Sequence, residues 1–385
     1  MKEKKKKTTS QKLSSCLSFI VFALIGAAMG GVTIFFEEKI IGAEPTAMHS
    51  IMFLFSEFLI LLLSFIPHVI VHESGHLVGG LLSGYNFVSF RIFNVMLIKL
   101  DGKLKLKNYS LVGTGGQCLM SPPEMKDGKF PIFLYNMGGS LMNLIFSGIL
   151  VVIAVLVKDC AVASYVLITL SLLGFAFALT NGIPLNTGMI TNDGYNALKL
   201  SGNKSAMRGF WIQMKMNEML VSGKSMADMP SEWFVIPTDE EMKNAMIAPL
   251  GVFGCAYLME NGEYEETDKN LAHLLEIESG IAGVHRNLMI CDRIWLRLFT
   301  GDTETAQRLF DNDLNKFLKS MKDFPQVIRT EYTIALLLEK NCEKAEEFMK
   351  RMEKGEKTYP YPLDIKIERK YMDLARKKYE TEVHI

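Results

Sequence analysis

Four long apolar segments constrain this chain more than any other feature of its sequence. Three of them contain no charged residue, and the remaining one, residues 51–82, contains two acids and three histidines. They cover residues 13–36, 51–82, 132–157 and 161–184. About 20 apolar residues in a helix are enough to cross the ~30 Å hydrocarbon core of a bilayer. We therefore predict an all-α polytopic membrane protein with four spans.

The rest of the chain has a different composition. Hydrophobic residues make up 49% of the 385 residues, but the second half is rich in Lys and Glu. The formal net charge is zero and no nucleic-acid motif is present, so we expect no nucleic-acid partner. The six cysteines have no C-x-x-C spacing, which indicates free thiols in a reducing compartment.

Basic residues orient the predicted spans. Six lysines lie in the first twelve residues and seven Lys or Arg lie in residues 83–131, whereas the other two connections carry only Lys39 and Lys158. The positive-inside rule then places both termini and the central loop in the cytoplasm of a multi-pass cell-membrane protein. A basic start before an apolar run is also typical of a signal peptide, but the length of the run favours an uncleaved anchor.

The second span is too long for a simple crossing. Its 32 residues would extend about 48 Å as a helix, so it must protrude, tilt or break, and Pro67 is the expected place for a break. This span carries His72-Glu73-Ser74-Gly75-His76, an H-E-x-x-H motif. Residues four apart lie on one helical face, so both imidazoles can bind one metal ion, with Glu73 as general base for a metal-bound water.

A catalytic zinc site needs a third protein ligand. His68 is one turn too far along the axis to join the other two histidines, and we expect it to pack or to bind the ligands from outside. Glu57 lies nearly five turns from His72. Asp193 follows the fourth span on the same side as His76; the alternative for Asp193-Gly194 is an ordinary turn.

Together these features resemble the site-2 protease family of intramembrane zinc metalloproteases. The resemblance covers roughly residues 50–195. It consists of the H-E-x-x-H motif, the run Gly-Gly-Ser140-Leu-Met-Asn143, and Asn181-x-x-Pro184 followed by Asp193-Gly194. The gap from Asn181 to Asp193 is longer than the common form by about one helical turn, and Asn192 stands where Leu is usual.

The resemblance implies Zn²⁺ on His72, His76 and Asp193, with Glu73 as the catalytic base. It also implies that Asn181 helps to hold the substrate carbonyl or its oxyanion; the alternative is an Asn that merely ends the helix. The expected substrate is a transmembrane or membrane-associated peptide within the lipid bilayer. A membrane-spanning regulator or a signal-peptide remnant would fit.

The central loop predicts a small β-hairpin at the cytoplasmic side. Residues 95–100 and 103–107 alternate apolar and polar side chains around Asp101-Gly102, a strong hairpin signal. Its edge can pair with an unwound substrate, or it can lie on the surface with its lysines at lipid phosphates. Residues 113–123 are expected to form a loop. Small residues of the third span should pack against Gly75, Gly79 and Gly80 of the motif helix.

The carboxyl-terminal part shows a faint repeat of about 40 residues. Similar turns begin near Met259, Phe299 and Glu339, each between an apolar helical stretch and an acidic one. This pattern predicts a tetratricopeptide-like helical domain that binds a protein partner; a plain helical bundle is the alternative. The predicted domains are an amino-terminal tail with the first span and outer loop (1–49), a zinc protease core (50–195), a linker (196–240) and a cytoplasmic helical-repeat domain (241–385).

Two other classes of function compete with the protease. One is a membrane scaffold that has lost catalysis and docks proteins through the helical repeat, and the intact His-Glu-His set argues against it. The other is a transporter or channel with a metal-binding step, which four spans without inverted repeats disfavour.

Overall fold

The structure is a computed structural model that describes residues 9–42, 46–110, 114–184 and 192–383. Within these residues the chain is mostly helical with a small antiparallel sheet. The contacts divide it into two compact units. One unit contains residues 9–93 and 114–207, and the other contains residues 94–110 and 208–383, in each case apart from the undescribed gaps.

Four helices of the first unit are long and apolar enough to cross a membrane, and they match the four predicted spans. They are α1 (Thr9–Ile41), α2 (Ala47–Leu82), α3 (Phe133–Leu156) and α4 (Ala161–Gly182). Most of their large apolar side chains are exposed, as expected of surfaces that face lipid.

Of the three alternatives for the second span, the break at Pro67 does not occur. Helix α2 runs without interruption through Pro67 for 36 residues, about 54 Å at 1.5 Å per residue. A proline removes one backbone hydrogen bond, and neighbouring helices in a membrane protein can compensate for that loss. A helix of this length must protrude from the hydrocarbon core or tilt within it.

Glycines bring α2 and α3 into backbone contact, as the sequence predicted. A Cβ atom on Gly75 would lie 2.1 Å from the carbonyl oxygen of Gly138, and one on Gly79 would lie 2.1 Å from that of Leu134. Gly80 makes room in the same way for the Met120 side chain. Any larger residue at Gly75 or Gly79 would push the two helices apart.

Two strands of the first unit pair in antiparallel fashion. They are β1 (Asn86–Ile92) and β4 (Gly116–Ser121), with Phe90 opposite Cys118 and a bulge between Phe87 and Ser89. The loop predicted for residues 113–123 is therefore wrong for residues 116–121. This segment has little β propensity of its own, and its pairing with β1 compensates for that.

The predicted hairpin is confirmed and belongs to the second unit. Strands β2 (Val95–Leu100) and β3 (Lys103–Asn108) pair with Leu100 opposite Lys103. Asp101 and Gly102 both have positive φ angles, +50° and +75°, which is the conformation of a type I′ turn. Tyr109, just after β3, packs edge-on against Tyr359 and Tyr361.

Further helices complete both units. Helix α5 (Asp193–Lys199) belongs to the first unit, and α6 (Lys204–Val221) lies at the division. The second unit continues with α7 (Ala248–Glu260), α8 (Tyr264–Glu276), α9 (Gly283–Thr300), α10 (Thr303–Leu309), α11 (Asn312–Ser320), α12 (Pro325–Thr333), α13 (Cys342–Thr358) and α14 (Pro362–Val383).

Helix pairs joined by tight turns occur at the three repeat positions. The turns contain Gly262, Gly301 and Lys340, all with positive φ. Helix α11 stands between the second and third pairs and has no counterpart between the first two. The tetratricopeptide-like character of this domain, its protein partner and the predicted domain boundaries remain predictions.

Candidate metal centre and active site

Helix α2 places the motif on its buried face. His68, His72, His76 and Gly79 recur at intervals of three or four residues, and all are buried. The two motif histidines are 7% and 8% exposed, and Glu73 is 8% exposed. This spacing brings both imidazoles to one side of the helix, with ring centroids 4.8 Å apart.

Asp193 reaches the same place from the first residue of α5. Asn192 caps this helix by accepting a hydrogen bond from the Tyr195 backbone N–H at 3.0 Å. The Asn192 amide also donates to the carbonyl oxygens of Thr180 (2.8 Å) and Ile183 (2.6 Å) at the end of α4. Asn192 therefore joins the two helices, and a Leu at this position could form none of these bonds.

Gly194 allows a second close approach between the same helices. A Cβ atom there would lie 2.1 Å from the carbonyl oxygen of Gly182. The Asp-Gly pair is thus more than a turn. Its aspartate places a carboxylate beside His72 and His76, and its glycine lets α5 begin against the end of α4.

Three donor atoms converge at the centre. His72 Nε2 lies 3.1 Å from Asp193 Oδ2 and 3.2 Å from His76 Nε2, and His76 Nε2 lies 3.4 Å from Asp193 Oδ2. Two ligand atoms bound at about 2.0–2.1 Å to one tetrahedral zinc ion lie about 3.3 Å apart. The three separations therefore fit the three protein corners of a tetrahedron, with the fourth left for water or substrate.

Gly139 of α3 lies directly against this cluster. A Cβ atom there would lie 2.6 Å from His72 Cε1 and 2.7 Å from both Nε2 atoms. Space that only a glycine leaves open next to three convergent donors supports a metal centre at this point. Two nitrogens and one carboxylate oxygen are a typical donor set for catalytic zinc.

Both histidines are held from outside by their other ring nitrogen. His76 Nδ1 lies 2.7 Å from the Tyr135 carbonyl oxygen, and His72 Nδ1 lies 3.1 Å from the Asn143 amide. Such outer hydrogen bonds fix the orientation of a metal-binding imidazole. The Tyr135 hydroxyl in turn donates to the Cys118 carbonyl of β4 at 2.8 Å.

The Asp193 carboxylate is kept ionised by its partners. Burial by itself would raise the pKa of this carboxyl, but hydrogen bonds to His72 and His76 and their charges outweigh it and hold the pKa well below its ordinary value. Asp193 is therefore available as an anionic ligand.

Glu73 lies against the first residue of β4. A Cβ atom on Gly116 would lie 2.6 Å from Glu73 Cγ and 2.6 Å from its Oε1. The fully buried Arg91 of β1 holds this backbone, because its guanidinium donates to the carbonyl oxygens of Phe93 (2.7 Å) and Gly116 (3.4 Å) and to the Thr114 hydroxyl. Strand β4 thus forms one side of the Glu73 site, in a segment for which the sequence predicted a loop and no chemistry.

Asn181 is not placed in the cluster. Its amide donates to the Phe177 carbonyl within α4 at 3.0 Å. Its predicted role at the substrate carbonyl remains a prediction, as do the catalytic role of Glu73 and the metal-ligand roles of His72, His76 and Asp193.

Comparison with known proteins identifies one family. The family model for peptidase family M50 matches residues 58–348, more than half of the chain. No curated protein and no solved structure matches this chain. The matched region begins within α2 and ends within α13.

Proposed function

Since this chain belongs to peptidase family M50, we propose that it is an intramembrane zinc endopeptidase that cleaves transmembrane or membrane-proximal peptide bonds. Family membership supports a membrane metallopeptidase. The zinc endopeptidase assignment rests on one observation: donor atoms of His72 and His76 on an apolar helix and of Asp193 on α5 lie within 3.4 Å of one another, and Glu73 is next to His72.

In this proposal the chain supplies three zinc ligands and a base, and it orients the substrate. A zinc ion bound there supplies Lewis acidity, which polarises the scissile carbonyl and makes water acidic near neutral pH. Glu73 takes a proton from the attacking water and later gives it to the leaving amine. Asn181 is proposed to donate to the carbonyl oxygen as negative charge develops on it.

The substrate segment must be extended at the moment of cleavage, because a helix shields its peptide bonds. Strand β4 begins at Gly116 beside Glu73, and the described part of the chain pairs β4 with β1 alone. We place the extended substrate along the other edge of β4. The predicted hairpin of β2 and β3 was the earlier expectation for this role, but the strand in contact with Glu73 is β4.

The membrane orientation is also part of the proposal. The distribution of Lys and Arg supports cytoplasmic termini and a cytoplasmic central loop. With this orientation His76, six residues before the end of α2, lies near the cytoplasmic side. Cysteine labelling from outside intact cells would test this topology: Cys160, between α3 and α4, should react and Cys342 should not.

A comparison of membrane proteomes tests the proposed activity. Cells carrying the wild-type chain or E73Q should differ in uncut membrane proteins, which accumulate only with E73Q. Both proteins should retain zinc, since Glu73 is not a ligand. The exposed Glu38 provides the control E38Q, which should behave as wild type. Full cleavage by E73Q would refute the mechanism, and a wild-type protein without zinc would favour the scaffold.

A further inference from the structure

We propose that His68 is a positioning residue for the metal centre. It acts through Asn143, which fixes the proton on His72 Nδ1 and so leaves His72 Nε2 free to bind the metal. This inference rests on the proposed zinc site. His68 lies outside the H-E-x-x-H motif, and the sequence alone indicated packing or an undefined outer contact.

A continuous line of hydrogen-bond partners connects α4 to the metal centre through His68. The His68 ring is fully buried, and its Nε2 lies 2.9 Å from the Leu170 carbonyl oxygen. Its Nδ1 lies 3.2 Å from the Asn143 amide. Asn143, also fully buried, lies 3.1 Å from His72 Nδ1 on its other side.

The Leu170 carbonyl determines where the proton of His68 lies. A carbonyl oxygen only accepts, so His68 Nε2 must carry the proton. In the neutral ring Nδ1 is then an acceptor, and it requires a donor from Asn143. An amide oxygen facing Nδ1 would instead require a doubly protonated, charged ring. Such a charge would be fully buried, and in the described part of the chain neither ring nitrogen of His68 has a carboxylate partner.

These protons select one orientation of the Asn143 amide. The structure has Oδ1 on the His68 side and Nδ2 on the His72 side, and a half-turn of the amide exchanges the two atoms. After the half-turn, Nδ2 donates to His68 Nδ1 and Oδ1 faces His72 Nδ1. His72 must then carry its proton on Nδ1, which leaves the lone pair of Nε2 directed toward Asp193 and His76.

The surroundings of His68 hold the ring in this position. A Cβ atom on Gly174 would lie 2.3 Å from His68 Cε1 and 2.8 Å from Nδ1, so α4 fits closely around the ring. The ring also packs edge-on against Phe146 of α3, with centroids 5.5 Å apart. Contacts with helices α3 and α4 therefore hold the His68 ring in a defined orientation beside Asn143.

The test measures zinc affinity by chelator competition in the purified full chain, without any substrate. H68F removes both ring nitrogens and should weaken zinc binding about 10-fold, the lower end of the usual effect of an outer partner. N143D keeps an acceptor for His72 Nδ1–H whichever way the carboxylate turns. In the N143D background H68F should therefore change zinc affinity by less than about two-fold.

S147A is the matched control, because Ser147 is a fully buried polar residue one turn beyond Asn143 on α3. It should bind zinc like the wild type. If H68F does not accumulate, H68L tests the same point with a smaller apolar side chain, because it also removes the acceptor for Asn143. An equal loss on adding H68F to wild type and to N143D would assign His68 to packing and overturn the inference. A wild-type chain that binds no zinc would instead refute the proposed function itself.

Discussion

His72 Nε2 lies 3.1 Å from Asp193 Oδ2, although the two residues are 121 positions apart in the sequence. Two helices, α3 and α4, intervene in the chain. Their glycines permit the approach, since Gly138 lies against Gly75 and Gly182 lies against Gly194. The proposed centre thus exists only when the first unit is folded.

Removing the Asp193 carboxylate should abolish tight metal binding. In D193N a neutral amide replaces the anionic ligand, so zinc affinity should fall by more than the roughly 10–100-fold seen when an outer partner is lost. Metal analysis after dialysis against a chelator measures this. D159N, at an exposed aspartate after α3, is the control. Unchanged zinc content in D193N would remove Asp193 from the ligand set.

An added methyl group at Gly139 should have a similar effect by a different route. The new Cβ would lie within 2.7 Å of His72 and His76 ring atoms, so the rings must move apart and zinc binding should be lost. G148A on the same helix meets no atom within 4 Å and should retain zinc. Equal zinc content in the two variants, again by metal analysis, would argue against a centre at this position.

Gly116 offers a change that should impair catalysis without loss of metal. G116A directs a Cβ atom at Glu73 Oε1, and displacement of a catalytic group by about 1 Å can lower the rate about 100-fold. Zinc content should remain at the wild-type level. G115A is the neighbouring control, because its new Cβ would make only an ordinary contact of 3.5 Å with Val69. The readout is the cleavage rate of a substrate from the proteome comparison, and equal rates for G115A and G116A would contradict the placement of Glu73.

The second unit should lose stability as the pH rises. Burial, together with the nearby charges of Glu368 and Glu260, raises the pKa of Asp364 from 3.8 to about 7. The folded state then binds the proton more tightly than the unfolded state, so the stabilisation is complete below about pH 4 and is lost as the pH rises to about 7.

Tryptophan fluorescence can follow this loss, because all three tryptophans, Trp211, Trp233 and Trp295, lie in the second unit. D364N should reduce the dependence of the unfolding free energy on pH between 4 and 7. It should not abolish it, since burial also raises the pKa of Glu260 and Glu368. D373N, at an exposed site on α14, should leave the dependence as it is. A wild-type slope in D364N would exclude Asp364 as its source.

Much of the first unit, and the hairpin of the second unit, could be predicted because their signals are local. Long apolar runs predict the four long helices, and Asp101-Gly102 predicts the hairpin turn. The H-E-x-x-H spacing places two rings on one face without any knowledge of the rest of the fold. Its position after the fourth span made Asp193 a candidate, but only the resemblance implied a ligand role, because nothing in a lone Asp-Gly distinguishes a carboxylate in a cluster from a turn.

The features that escaped prediction depend on distant partners. Strand β4 has one glycine and one cysteine but gains its hydrogen bonds from β1, which precedes it by some two dozen residues. Asn192 reads as a departure from a family pattern, and only the end of α4 shows why an amide serves there. The sequence could not decide whether the second span protrudes, tilts or breaks at Pro67, because a membrane helix tolerates proline when its surroundings compensate for one missing hydrogen bond.

The length of α2 has a consequence for the supply of water. His76 lies six residues from the end of a helix of 36 residues, or about 9 Å along the axis. Hydrolysis consumes one water molecule for every bond cut, and the hydrocarbon interior of a bilayer is nearly dry. Under the proposed function, a reaction centre this close to the end of α2 would draw that molecule from the head-group layer over a short path, while the peptide to be cut would arrive from the lipid.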